Sequence, residues 1–96
     1  MELCIIGQFH AQPGHERAVE AAICKVIPRS RSEATCLAIN AYRSNRDPSL
    51  FFIYSRWRDA AAFEVHATLP HTVEFIATVE PHLTHRVEVA RTTPIA

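Results

Sequence analysis

His66 is the side chain in this 96-residue sequence best placed to do chemistry. It recurs with Ala62, Val65 and Leu69 at helical spacing, on what reads as the inward face of a helix. Burial on such a face disfavours the charged imidazolium and leaves a neutral base. A base of that kind can take a phenolic or C–H proton from an electron-rich substrate. The carbanion or enolate left behind can then pass an electron to O2 without a cofactor. On the residues alone, the competing account is a core histidine held by a backbone carbonyl. Trp57 can wall an aromatic substrate or simply fill the core. Tyr54 falls on the opposite face of the same regular strand, so the two do not line one pocket. Arg43, Arg56 and Arg58 can stabilise a developing oxyanion if drawn into a dry pocket, or else sit at a rim or an interface. His71, just after Pro70, caps the pocket or begins the next helix.

Other chemistries find little support. His82 and His85 are three apart and His66 and His71 five apart, but neither pair has a carboxylate at a matching spacing and there is no HExxH, so no metal site is expected. Asp47 in a turn and Asp59 at a helix cap already have structural roles, which leaves no Ser-His-Asp order to argue. Only Gly7 and Gly14 are glycine, too few for a nucleotide-binding loop. Ten basic against ten acidic side chains give a net charge of zero, without the field of a general nucleic-acid binder. Cys4, Cys24 and Cys36 are an odd number with no CxxC, the usage of a reducing compartment. With neither a secretory leader nor an apolar run of membrane-spanning length, a cytoplasmic location with no membrane partner is expected.

The elements that must position these groups follow from hydrophobic period. Residues 1–96 read as one domain, 48% hydrophobic and 21% charged, the balance of an ordinary globule. Leu3 to His10 is a short apolar strand ending at Pro13-Gly14. Val19, Ala22, Ile23, Val26 and Ile27 then make one stripe of a helix from His15 to about Ile27 or slightly beyond, kinked at Pro28 or fraying towards the polar stretch Arg29-Ser30-Arg31-Ser32. Cys36 to Ser44 and Leu50 to Trp57 form an antiparallel hairpin about the turn Asn45-Arg46-Asp47-Pro48. Asp59 caps the helix that carries His66, Pro70 ends it, and Val73, Ile76, Ala77 and Val79 or Glu80 line a further helix up to Pro81. Thr84 to Arg91 is the last strand. The order β-α-β-β-α-α-β is an α+β, ferredoxin-like arrangement with the helices on one face of a four-stranded antiparallel sheet. Leu50, Phe52 and Tyr54 load the other face with apolar groups, which a second copy of the chain can cover. A homodimer is therefore expected, each subunit keeping a pocket between its sheet and helices.

The block Tyr54-Ser55-Arg56-Trp57-Arg58-Asp59, followed by Phe63-Glu64-Val65-His66-Ala67-Thr68-Leu69-Pro70-His71, resembles the antibiotic biosynthesis monooxygenase domain family from about Leu3 to Thr92. The spacing from Trp57 to His66 to Pro70-His71 is the most specific part. The resemblance implies a dimeric α+β barrel and oxygenation of quinol- or anthrone-like aromatics without metal or flavin. Anthrone-oxidising members are expected to carry Asn and Tyr where this chain has Ile53 and Phe63; only Trp57 matches. Phe63 remains a substrate-contact candidate at that position. Haem-degrading members want an Asn, a Trp and an axial His where Gly7, His66 and Ile76 stand, which disfavours haem. The family's usual Pro-Gly before the second strand is Ala34-Thr35. The expectation is a cofactor-independent monooxygenase acting on a small aromatic or quinol-type compound with O2. His66 is its base, and Trp57, Tyr54, Arg43, Phe63 and His71 are the candidate substrate contacts. An isomerase or lyase using the same base, or a dimer that only holds a small ligand, are the alternatives.

Overall fold

The computed structural model describes all residues 1–96. Strand β1 (Leu3–His10) turns Ile5, Gly7 and Phe9 towards the helices and Ile6, Gln8 and His10 away from them. After Pro13, Gly14 takes a φ of +87°, a conformation that favours glycine, and delivers the chain to α1 (Glu16–Arg31). The stripe of α1 buries Val19, Ala22, Ile23, Val26 and Ile27 as expected. The helix does not stop at Pro28. Proline there frees only the carbonyl of Cys24, and both residues are exposed, so water can take the missing donor's place and one more turn forms. That turn buries Ser30 and lets Arg31 donate from Nη2 to the Ile39 carbonyl at 2.7 Å.

Strands β2 (Cys36–Arg43) and β3 (Leu50–Trp57) pair antiparallel around a turn built by side chains. Ser44 Oγ accepts the Arg46 and Asp47 amides, and the Asp47 carboxylate accepts the Ser49 amide at 3.0 Å. Helices α2 (Ala60–Thr68) and α3 (Pro70–Val79), a single 3-10 turn at Glu80–His82 and strand β4 (Glu88–Thr92) complete the chain. The sheet order is β2-β3-β1-β4, antiparallel throughout, so the two strands that carry most of the core lie in the middle. No helix is long and apolar enough to cross a membrane.

Three local expectations change. Val65 points to solvent at 61% exposure, and Ala62 is the residue α2 buries. Helix α3 is rotated relative to the expected stripe: Val73 is exposed, while Phe75 and Val79 are core and Phe75 meets Phe9 edge-on. The last strand begins at Glu88, because Leu83 first bridges Ala11 and Thr84 donates its amide to the His10 carbonyl. The face of the sheet away from the helices presents Ile6, Tyr42, Phe52 and Tyr54, with no element of the chain over it.

Asp59 caps α2 as anticipated, its Oδ1 accepting the Ala62 amide at 2.8 Å. That hydrogen bond holds the Asp59 carboxyl below its ordinary value of 3.8. The cap's contribution is therefore complete above pH 3.8 and disappears as pH falls through the lower folded value. Asp59→Ala should lower Tm by several degrees at pH 7 in a thermal melt, Asp59→Asn by less, and the gap to the parent should narrow as the pH is taken below 4.

Candidate functional site

A cavity of about 210 Å³ lies between the sheet and the helices. Ile5, Gly7, Ile53 and Ser55 form its floor, Ser30 of α1 one wall, and Phe63 and His66 of α2 with Thr72 and Ile76 of α3 its roof. Gly7 keeps the floor open. A Cβ on it would stand 3.3 Å from the Phe9 ring, closer than side chains ordinarily pack, and would take up part of the space. A void of about 150 Å³ holds a benzene ring, so this one admits an aromatic ring with substituents.

His66 enters this space held by a partner that local spacing does not reveal. Its Nδ1 lies 2.8 Å from Oε2 of Glu33, and Nε2 of His71 lies 2.7 Å from the same oxygen. The three side chains are 12%, 11% and 19% exposed for His66, Glu33 and His71. A carboxylate only accepts, so each imidazole donates to it, which fixes the Nδ1–H tautomer of His66 and the Nε2–H tautomer of His71. The Thr72 hydroxyl stands 3.4 Å from the same Nδ1. The other ring nitrogen of His66, Nε2, has no protein partner, and because no buried side-chain nitrogen or oxygen is left unpaired, it is within reach of solvent. Its lone pair is the site's free proton acceptor.

Trp57 is fully buried and does not line the cavity. It packs against His66 from behind, ring centroids 4.3 Å apart at 35°, and donates from Nε1 to Ser55 Oγ at 3.0 Å. The indole thus sets the height of the imidazole and orients a hydroxyl of the cavity floor. Ser55 accepts that bond, so its own proton is free to donate. Ser30, 1% exposed, also lines the cavity and has no side-chain partner.

The other sequence candidates divide. Phe63 lines the cavity, with the Arg91 guanidinium 5.4 Å from its ring centre. His71 reaches the site only through Glu33; its other side faces a shallow cleft with Lys25 and Arg29. Tyr54 lies on the far face of the sheet, as alternation along β3 requires. Arg43 is paired with Glu20 at 3.1 Å on the surface, Arg56 with Glu2 on the far face, and Arg58 with Asp59. None of these three arginines enters the cavity.

The model of the antibiotic biosynthesis monooxygenase family matches residues 3–78, a span that holds Glu33, His66, His71 and most of the cavity. The chain belongs to that family. Among solved structures, Rv0793 from Mycobacterium tuberculosis superposes with a TM-score of 0.94 at 25% identity, covering 100% of this chain and 97% of that one. PA3566 from Pseudomonas aeruginosa gives 0.90 at 30% identity, covering 99% and 95%. Among curated sequences, sll1783 of Synechocystis is 26% identical over 74 residues; that match takes in 77% of this chain and 50% of the relative, so the chain spans about half of that protein.

For this family member, Glu33 is the residue that sequence reasoning missed. It lies 33 positions before His66 in a polar stretch, so only the fold joins them. Its charge is felt nearby: burial first, and the Glu33 carboxylate second, push the Cys36 thiol above its ordinary 9.0. Iodoacetamide at pH 7.5 should therefore modify exposed Cys24 before Cys36. In Glu33→Gln, mass spectrometry should find Cys36 reacting at lower pH than in the parent; an unchanged profile would mean that Glu33 does not act on the Cys36 thiol.

Proposed function

We propose that the protein is a cofactor-independent monooxygenase-like enzyme that oxidises a small phenolic or quinol-type aromatic with O2. One observation carries the reading: His66 Nδ1 is fixed on Glu33 while Nε2 has no protein partner, and the residue lines an apolar cavity of ring size. The substrate ring lies in the cavity, and His66 Nε2 removes its phenolic or activated C–H proton. The Ser30 and Ser55 hydroxyls supply donors for the oxygen on which negative charge gathers. The anion passes one electron to O2, and recombination forms a carbon–oxygen bond to a peroxide. Protonation by the His66 imidazolium and departure of water, with the second hydrogen lost from that carbon, leave a carbonyl. One oxygen atom ends in the product and the other in water, and the substrate supplies two hydrogens and all four electrons.

Glu33 stabilises the imidazolium formed in the first step and keeps the ring from turning. Trp57 packs the opposite face of the ring, so the base is both oriented and immobile. The proposal includes a cytoplasmic homodimer through the uncovered sheet face, supported by its half-exposed Ile6, Phe52 and Tyr54 and by three free cysteines.

Oxygen uptake by chelator-treated protein with a panel of phenols and quinols tests the chemistry. His66→Ala should lower kcat by about 10²- to 10⁴-fold. Glu33→Gln, whose amide presents a donor to Nδ1, should lower it by about 10²-fold or more. Turnover that persists under strict anaerobiosis would replace this reading with an isomerase or lyase. For the assembly, sedimentation should give twice 10.8 kDa for the parent and a monomer for Ile6→Arg.

A further inference from the structure

Glu33 is a nearly buried carboxylate with no arginine or lysine against it. Its only ionisable partners are His66 and His71, which both approach a single oxygen, Oε2. Arg31, the nearest basic residue in sequence, is committed to the Ile39 carbonyl and the Asn40 side chain. A buried anion without a counter-charge is destabilising unless hydrogen bonds or a cation compensate it. Here two imidazole N–H donors compensate it, both at Oε2, and Oε1 has no protein partner.

We propose that Glu33, His66 and His71 form a binding site for a first-row divalent cation, Zn2+ foremost. Three donor atoms of the right kinds, a carboxylate oxygen, His66 Nδ1 and His71 Nε2, lie within 4.8 Å of one another. They come from three separate parts of the fold: the α1–β2 connection, α2 and the first turn of α3. Two imidazoles and one carboxylate, with a fourth position for water, is a set that Zn2+ accepts in open tetrahedral sites. Bonds of about 2.0–2.1 Å would put neighbouring ligands about 3.3 Å apart. The present 2.7 and 2.8 Å contacts therefore open by about half an ångström as the cation replaces the two shared protons. Glu33 leaves α1 on a short connection and carries the unpartnered Oε1, so it can make that adjustment by side-chain rotation. The exchange is balanced within the cluster. Each imidazole moves its proton to the far nitrogen, giving His66 Nε2–H and His71 Nδ1–H, and each freed lone pair binds the metal.

The functional consequence rests on the reading of His66 as the base. With the cation on Nδ1, Nε2 carries a proton and cannot accept one, so the cation inhibits and is not a cofactor.

The single tryptophan makes binding measurable without turnover. The Trp57 ring is 4.3 Å from that of His66, so a cation on Nδ1 lies within about 8 Å of the indole. Chelator-treated protein titrated with Co2+ should show saturable, one-to-one quenching of Trp57 emission, and Zn2+ should restore it by competition. His71→Ala should weaken binding at least ten-fold. His71→Gln, closer in size, serves if the alanine variant fails to fold, and Glu33→Ala is the second removal. A second cluster, His10, His85 and Glu88, is more open to solvent, with nitrogen-to-oxygen separations of 3.6 and 3.7 Å, so His85→Ala is the control and should leave the quenching unchanged. Absence of saturable quenching, quenching indifferent to both His71 and Glu33 substitutions, or quenching lost in His85→Ala overturns the site. Where a substrate turns over, Zn2+ should suppress oxygen uptake in step with occupancy. Full activity at saturating Zn2+ would overturn the inhibitory role and leave the binding result standing.

Discussion

One carboxylate oxygen joins three stretches of chain that lie far apart in sequence. Glu33 follows α1, His66 lies inside α2 and His71 opens α3, and both imidazoles donate to the same Oε2. Helix α2 is short and buries only Ala62 fully, so its packing against the sheet is thin. Its position depends on the Asp59 cap at one end, Trp57 beneath it and the Glu33 contact at the other. The constraint works in both directions. A carboxylate this shielded from water needs donors, and the two helices need a fixed point; one arrangement meets both needs.

The cavity exists because small or polar residues occupy positions that a larger side chain would fill. Gly7, Ser55, Ser30 and Thr72 face a common space whose remaining lining is mostly aliphatic or aromatic. Apolar side chains left facing an unfilled space forgo the packing contacts that a closed core would give them, which costs stability. A chain under selection for stability alone would close it, as a single methyl at Gly7 begins to do. The hydroxyls of Ser30 and Ser55 sharpen the point, because a donor facing an apolar space is satisfied only by water or by a ligand oxygen. On the proposed function, the space takes the substrate ring and the two hydroxyls face its oxygen.

Much of the frame is legible from residue types because the signals are local. Both central strands begin and end where hydrophobic alternation says they do, and the stripe of α1 and the Asp59 cap occur as read. The failures are equally physical. Helix α2 is apolar nearly all round, with Ala60, Ala61, Phe63, Val65 and Ala67 on several sides, so periodicity cannot choose its inner face and Val65 is misplaced. Pro28 is tolerated because what it frees faces water, which a sequence rule about proline does not see. Trp57, expected as a pocket wall, packs against His66 from within the core instead. Glu33 is invisible by any spacing argument, since its bond to His66 depends on where α1 ends relative to α2.

The uncovered sheet face and the cavity lie on opposite sides of the same strands, which couples them through the backbone of β1 and β3. Ile5 and Gly7 look into the cavity while Ile6 between them looks out; Ile53 and Ser55 look in while Tyr54 looks out. Cover on the outer face would stiffen these two strands and hold their inner side chains in place without touching the ligand. Tyr54, a candidate for substrate contact that the strand turns to the outer face, stands directly across from Ile6 in the register, while its neighbour Ser55 looks into the cavity. Two-residue alternation thus gives one pair of strands an inner face towards the cavity and an uncovered outer face.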